Sequence, residues 1–404
     1  MKKILILGAG VQGTAVAREL ALEPTVEKII LASRNEKYVK ELAEELDKTE
    51  GIYCNADDYE QVREAIKGCD LVVNALPVTY GKTVLDAALE EGADYQDFAG
   101  CEDLGDTWME SMGRLFSEYS KKFADRGNLA LVGTGSTPGL MCVVARDTVK
   151  HVDKCDDITM FVYEGVEAKR FQPFWWSPEV ALEDMFNAPI ATINGEIVNT
   201  EPYSLPIERK FEYMDYPVRL VEHAHEEPFF MGLNKDTLFK GAKNIHFKYG
   251  GVGVEFSEPL YKAGKLSMEP DENGVVPRLE VLKTIPRPPK EPAVLQEILD
   301  EGLVRDDGAF GCEIIGEKDG RKIKVETHVF APGLAESFEK LQMSAEQYIT
   351  GLSGFMFTRM LVRDEIKQTG LISTDMLSEE ENRIYMAYEN AIGIYAETTE
   401  EYLD

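Results

Sequence analysis

Residues 2–22 read KKILILGAGVQGTAVARELAL, and this stretch decides the fold. "KKILIL" is a short apolar run of the kind a buried strand uses, and it stops at glycines. "GTAVARELAL" then continues with apolar residues at helical spacing. Between them "GAGVQG" places Gly8, Gly10 and Gly13 in GxGxxG spacing. Alone that spacing is a weak signal; directly after a strand and opening a helix it is a dinucleotide fingerprint. Gly8 permits the tight turn, Gly10 lets backbone approach a pyrophosphate, and Gly13 allows helix to pack closely on strand. The helix start at Val11, Gln12 and Gly13 would face the phosphates with free N–H groups and its positive dipole end.

Outward from this stretch the pattern repeats. "VEKIILASR", "GIYCNADD", "DLVVNALP", "ADYQDFAG" and "NLALVGTGSTPG" read as strands. "NEKYVKELAEELDK", "YEQVREAIKGC", "GKTVLDAALEEG" and "TWMESMGRLFSEYSKKFADRG" read as the helices between them. Strands alternating with helices of this length predict an α/β fold, a doubly wound Rossmann domain over residues 1–140. Right-handed crossovers would then put the carboxyl ends of the strands along one ligand-binding rim. Beyond residue 150 the pattern changes to strands such as "DDITMFVYEG" and "KNIHFKYGG", and a hairpin turning at Lys318-Asp319-Gly320. An inserted α+β domain of mainly antiparallel sheet is expected over 141–342, and helices returning to the Rossmann domain over 343–404.

The second strand ends in Ser33-Arg34, where a site for NAD(H) usually carries an acid that binds the ribose 2′-hydroxyl. A hydroxyl followed by a guanidinium is equipment for a phosphate, so NADP(H) is expected in preference to NAD(H). Asp57, after the third strand, could contact adenine or cap the next helix. The turn Asn74-Ala75-Leu76-Pro77 ends the fourth strand and would lie by the nicotinamide ribose.

A formal net charge of −30 argues against a nucleic-acid partner, and no apolar run is long enough to span a bilayer. The start "MKKILILGAG" is too short for a signal peptide, so a cytoplasmic protein is expected. Six cysteines without CxxC spacing read as reduced and structural, and no metal site is expected.

In order, "GAGVQG", "LASRN", "VVNALP" and "GTGSTPGL" resemble the saccharopine dehydrogenase (saccharopine reductase) family, whose relatives include lysine 6-dehydrogenase and carboxynorspermidine dehydrogenase. "FWWSPE", "HFKYGGVGVEFSEPLYKAGKL" and "TGLSGFMFTRMLVRDEIKQTGLI" extend the resemblance over nearly the whole chain. It implies an NAD(P)-dependent oxidoreductase acting on a C–N (amine or imine) bond of an amino acid, as a homodimer. The relatives leave open a lysine 6-dehydrogenase-like or carboxynorspermidine dehydrogenase-like activity; a non-catalytic NADPH-binding sensor is the reading from another class. The resemblance implies that Trp176 and Ser177 line the substrate pocket. Pro138-Gly139, at a helix start, would suit a substrate carboxylate. Two alignments compete further on. "NKDT" would put Lys235 on a substrate carboxylate, whereas "HAHEEP" would put His225, Glu227 and Pro228 at the pocket.

Proton transfer needs a group titrating near neutrality, and His223 and His225 alternate on an expected strand, sharing one face with Glu222 and Glu226 on the other. Asp97 and Tyr80, at element ends on the nucleotide rim, are rival acid–base or amine-binding candidates.

Overall fold

In the computed structural model, which describes residues 1–403, Lys2–Leu7 forms strand β1 and Val11–Leu22 forms helix α1. Ile4, Leu5 and Ile6 are fully buried. A parallel strand covered on both faces needs such a continuous apolar run, not an alternating one. The chain goes on through β2 (Val26–Ser33), α2 (Glu36–Glu45), β3 (Thr49–Tyr53), α3 (Tyr59–Ile66) and β4 (Leu71–Asn74). Then come α4 (Gly81–Glu91), β5 (Asp94–Asp97), α5 (Trp108–Arg126) and β6 (Leu129–Val132). Asn35, Asp58 and Thr107 start α2, α3 and α5 by accepting backbone N–H bonds on their side chains.

These strands and Gly370–Ser373 make a parallel sheet in the order Gly370–Ser373, β6, β5, β4, β1, β2, β3. The order reverses between β1 and β4, so the glycine turn after β1 opens at the switch point where doubly wound sheets bind ligands. This unit comprises Met1–Val143 and Gln347–Ile392. Its second segment contains the almost wholly buried helix Leu352–Val362. The Gln96 amide of β5 ties that helix to the sheet, donating to Gly354 O at 2.9 Å and accepting from Thr358 Oγ1 at 2.8 Å.

The second unit is Val144–Glu346 with the segment from Gly393 onward. Its sheet runs in the order Glu196–Asn199, Ile190–Ile193, Asn244–Gly251, Lys154–Glu164, Gly308–Lys318, Arg321–Phe330, Tyr395–Tyr402. Val218–Glu222 also pairs with Asn244–Gly251, and Ile207–Arg209 pairs with Val218–Glu222. Every pairing is antiparallel except Asn244–Gly251 on Lys154–Glu164, so the sheet is mixed but mainly antiparallel. The hairpin turn falls where the spacing puts it: Lys318 opposes Arg321, and Asp319 and Gly320 take φ of 52° and 73°.

Two strands were not expected. Helices were expected throughout 343–404, but the helix ends at Val362, and Leu371-Ile372 enter the first sheet as an edge strand too short to show a period. Tyr395–Tyr402, "YAETTEEY", is an exposed edge strand whose polar sequence carries no apolar alternation. His223 and His225 also lie beyond their strand, which ends at Glu222, and the alternation stops as the chain turns into the helix Glu227–Leu233.

Gly251 joins the parallel pair to the next helix at φ 114°, and a Cβ there would stand 2.0 Å from Glu164 O. Gly264 has φ 70° but open space around it. Gly264→Ala should therefore cost about 1 kcal/mol of left-handed strain, and Gly251→Ala at least about twice that because backbone must also move. Urea midpoints of the two variants check this; equal shifts would refute the backbone collision.

Candidate functional site

At the β1–α1 turn the three glycines have different surroundings. Gly8 has φ 100°, and a Cβ there would lie 2.6 Å from Ala75 O; one on Gly13 would lie 2.0 Å from Gly8 O. Gly10 is exposed, and its Cβ would meet nothing within 4 Å. The first and third glycines thus pack backbone on backbone, and the second leaves open space beside the helix start. No side chain caps α1, so the N–H groups of its first turn have no helical acceptor. That arrangement fits a dinucleotide pyrophosphate.

The ends of β2 and β3 and the turn after β4 bring Arg34, Asp57 and Tyr80 together. The Arg34 guanidinium lies 3.8 Å from the Asp57 carboxylate, whose other oxygen accepts the Tyr80 hydroxyl at 2.8 Å. That hydrogen bond, with burial and the carboxylate's charge, raises the Tyr80 pKa and keeps the phenol a donor. Ser33 Oγ accepts the Asn35 N–H at 3.2 Å. A basic side chain and no acid thus follows β2 directly.

Deeper in the same sheet, buried Asn74 donates to Tyr95 at 3.0 Å and accepts the Leu76 N–H at 3.2 Å, which shapes the Asn74-Ala75-Leu76-Pro77 turn. Tyr95 donates to Asp97 at 2.9 Å, and Asp97 also accepts the Gly133 N–H at 2.8 Å. Asp97 is 3% exposed and is committed to this network. Pro138 and Gly139 are buried in the tight turn Ser136–Leu140 that precedes the helix Met141–Thr148. A Cβ on Gly139 would lie 2.7 Å from the Thr134 carbonyl carbon.

The second unit gathers its chemistry around the end of Asn244–Gly251. Alternate residues of that strand face opposite ways. On one face His246 and Lys248 hold the buried Glu222 carboxylate at 2.9 and 2.7 Å, and they keep its pKa low although burial works the other way. On the other face Phe247 stacks on His225 with ring centroids 4.4 Å apart, and Tyr249 stacks on His223 at 4.5 Å. Trp176 meets the Tyr249 ring edge-on at 6.4 Å. Tyr249 donates its hydroxyl to Glu164 at 2.6 Å. His225 Nδ1 stands 2.5 Å from Glu227 and 3.2 Å from Glu226, so Glu226 lies beside the histidine and not on the opposite face with Glu222.

These neighbours push the two imidazoles apart. Burial opposes a charge on His225, but the Glu227 and Glu226 carboxylates outweigh it and raise the pKa to about 9. Burial and the charge of His225 hold His223 well below its ordinary value, so it stays neutral. Burial raises Glu164 to about 7, and the Tyr249 hydrogen bond and the His225 charge keep it from rising further. Burial likewise raises Glu226. Asp184 adds a further negative charge that acts on His225 and Tyr249. The second oxygen of Glu227 is buried and has no hydrogen-bond partner among the described residues. Glu164, Trp176, Asp184 and His225 are only half-buried, so the cluster keeps an accessible side.

His225, Glu226 and Glu227 also offer ligand atoms within 4.8 Å of one another, and a metal there would have to displace the His225 proton. Ser177 donates to Glu179 at 2.9 Å, and Lys235 lies 3.6 Å from the exposed Asp236. The sequence reading passed over Glu164, Asp184 and Tyr249. The signal was there for one: "DDITMFVYEG" ends its apolar run in an acid followed by glycine, at the carboxyl end of a strand.

Residues 4–127 match the family model for the saccharopine dehydrogenase NADP binding domain. Over 93% of its length and 92% of theirs, the chain is 26% identical to a carboxyaminopropylagmatine dehydrogenase from Synechocystis and 27% identical to a carboxynorspermidine synthase from Vibrio alginolyticus. In fold it is similar to saccharopine dehydrogenase (L-Glu forming) from Saccharomyces cerevisiae, with TM-score 0.69, 16% identity, and 99% of this chain and 100% of that one covered. It is also similar to the homospermidine synthase from Legionella pneumophila in complex with NAD, with TM-score 0.66, 11% identity, and 98% and 91% covered. Among the described residues no helix is long and apolar enough to cross a membrane. With that NADP binding domain match on the glycine turn and relatives along nearly its whole length, one of them a dehydrogenase, the chain is an NAD(P)-binding oxidoreductase similar to the saccharopine dehydrogenases.

Proposed function

We propose that this oxidoreductase prefers NADP(H) and works on the C–N bond of a carboxyalkylated amine whose remaining chain carries further positive charge. The observation that carries this reading is the charge of the second unit's cluster: Glu164, Asp184, Glu226 and Glu227 surround one imidazolium, beside the aromatic faces of Trp176 and Tyr249. Carboxylates and an indole are what bind alkylammonium groups. A tricarboxylate such as saccharopine would need several cations there, and Lys235 stands with Asp236 instead. The names of the two relatives, which carry a carboxyl group on a polyamine or agmatine, agree with this.

The nicotinamide, when bound, supplies or accepts the hydride. Gly8, Gly10, Val11, Gln12 and Gly13 hold the pyrophosphate, Ser33 and Arg34 take the 2′-phosphate, and the 74–77 turn borders the ribose. Asp57 and Tyr80 hold Arg34 ready, and Asp97 shapes the sheet end. His225, locked to Glu227, fixes the polar wall, while neutral His223 and Trp176 contact the amine. Ser177 keeps Glu179 in place, and Pro138-Gly139 make a helix start of the kind that suits a carboxylate. A homodimer built through the second sheet and a cytoplasmic location belong to the same reading, and light scattering checks the first. A lysine-derived substrate, in lysine metabolism, is the second reading, favoured by the family of the NADP binding domain.

Turnover with NADPH should be strongest for carboxynorspermidine or carboxyaminopropylagmatine, assayed in both directions, and weak for saccharopine and lysine. Saccharopine as the best substrate would overturn the proposal. Arg34→Ala should weaken NADPH binding about tenfold or more, the worth of one charge-assisted hydrogen bond, and leave NADH binding nearly unchanged. Fluorescence titration of both cofactors checks it; equal loss for the two would remove Arg34 from cofactor choice.

A further inference from the structure

We propose that Glu164, held by the Tyr249 hydroxyl, is the acid–base group that exchanges a proton with the substrate nitrogen. This rests on the reading of the second unit's cluster as the amine site.

Glu164 is the last residue of the strand Lys154–Glu164, and its backbone carbonyl is crowded by Gly251 of the parallel neighbour. That packing fixes where the carboxyl group leaves the sheet. Tyr249, two residues before Gly251 on the same neighbour, reaches it at 2.6 Å, and its ring stacks on His223 and meets Trp176 edge-on. The carboxyl group is therefore oriented by a side chain that itself forms part of the aromatic wall, and the residue as a whole is only half-buried.

His225 is held as an imidazolium by Glu227 and Glu226, and His223 is held neutral, so neither changes state near neutrality. Glu164, at about 7, does. The groups facing it are the Tyr249 hydroxyl from one neighbouring strand and the His225 charge from the loop beyond Glu222. On the other side Gly308 opposes it, and Asp307 before that glycine accepts the Tyr216 hydroxyl at 2.7 Å.

The step balances. In the reductive direction a hydride from NADPH adds to the iminium carbon, and the C=N π pair moves to nitrogen. The resulting secondary amine takes the proton of the Glu164 carboxyl, leaving a carboxylate that the Tyr249 hydroxyl stabilises, an ammonium product and NADP⁺. Oxidation runs the same steps backward, with the carboxylate as base. The acid form serves reduction, so the reductive rate falls as pH rises through about 7, the value for Glu164.

The test is the pH profile of reductive kcat for the wild type, Glu164→Gln, Tyr249→Phe and Trp176→Ala, each first shown to bind NADPH and melt normally. Glu164→Gln should lower kcat at acid pH by about 10²- to 10³-fold and abolish the alkaline fall. Tyr249→Phe removes a bond that favours the carboxylate, so it should move that fall to higher pH while keeping activity below it. Trp176→Ala should raise KM for the amine and leave the fall in place. An unchanged fall in Glu164→Gln, with KM raised in Trp176→Ala, overturns the role of Glu164 alone; an unchanged KM in Trp176→Ala overturns the site reading. Infrared spectroscopy gives an answer without turnover. Glu164 and Glu389, both at about 7, should each lose a protonated-carboxyl C=O band as pH rises through that value in the wild type, whereas Glu164→Gln should lose only the Glu389 band, so the difference between the two proteins reports Glu164. Absence of a band assignable to Glu164 refutes the proposal.

Discussion

The second unit depends on one strand pairing, the parallel contact of Asn244–Gly251 with Lys154–Glu164 in a sheet that is otherwise antiparallel. Parallel alignment puts both carboxyl ends on the same side, so Glu164 and Tyr249 leave the sheet close together. An antiparallel partner would have carried one of them to the far end. The closeness requires a residue without a side chain at Gly251, whose Cβ would fall on the Glu164 carbonyl. From that point the two faces of Asn244–Gly251 divide the work. His246 and Lys248 neutralise Glu222 beneath the sheet, and Phe247 and Tyr249 carry the two histidines above it.

Environment then assigns each ionisable group a different state. His223 and His225 lie two residues apart with rings 6.2 Å apart, yet one is held neutral and the other charged. Both stack on an aromatic ring; the difference is that His225 also meets two carboxylates, whereas burial and the His225 charge hold His223 neutral. A charged imidazole inside the cluster in turn restrains Glu164. Removing any one of these side chains would shift the others, so their effects are not additive.

The nucleotide-binding fold was legible in the sequence because its signals are local. A buried parallel strand is an apolar run, and each glycine of the turn has its own backbone requirement within a few residues. The same holds for the 318–321 hairpin. The strands Gly370–Ser373 and Tyr395–Tyr402 were not legible, because a four-residue strand and an exposed edge strand owe their form to the neighbour they join. The cluster in the second unit was half legible. His223, His225 and Trp176 stand out by residue type, but Glu164 and Tyr249 become partners only through the register of two strands separated in sequence by residues 165–243.

Both sheets take an edge strand from the end of the chain: Gly370–Ser373 completes the first and Tyr395–Tyr402 the second. During synthesis on the ribosome, therefore, β6 and Arg321–Phe330 emerge long before the strands that will cover them. Each unit therefore passes through a stage with an open strand edge that invites association with other chains. The acidic composition of the chain opposes that association, since chains of net charge −30 repel one another while such edges stand open.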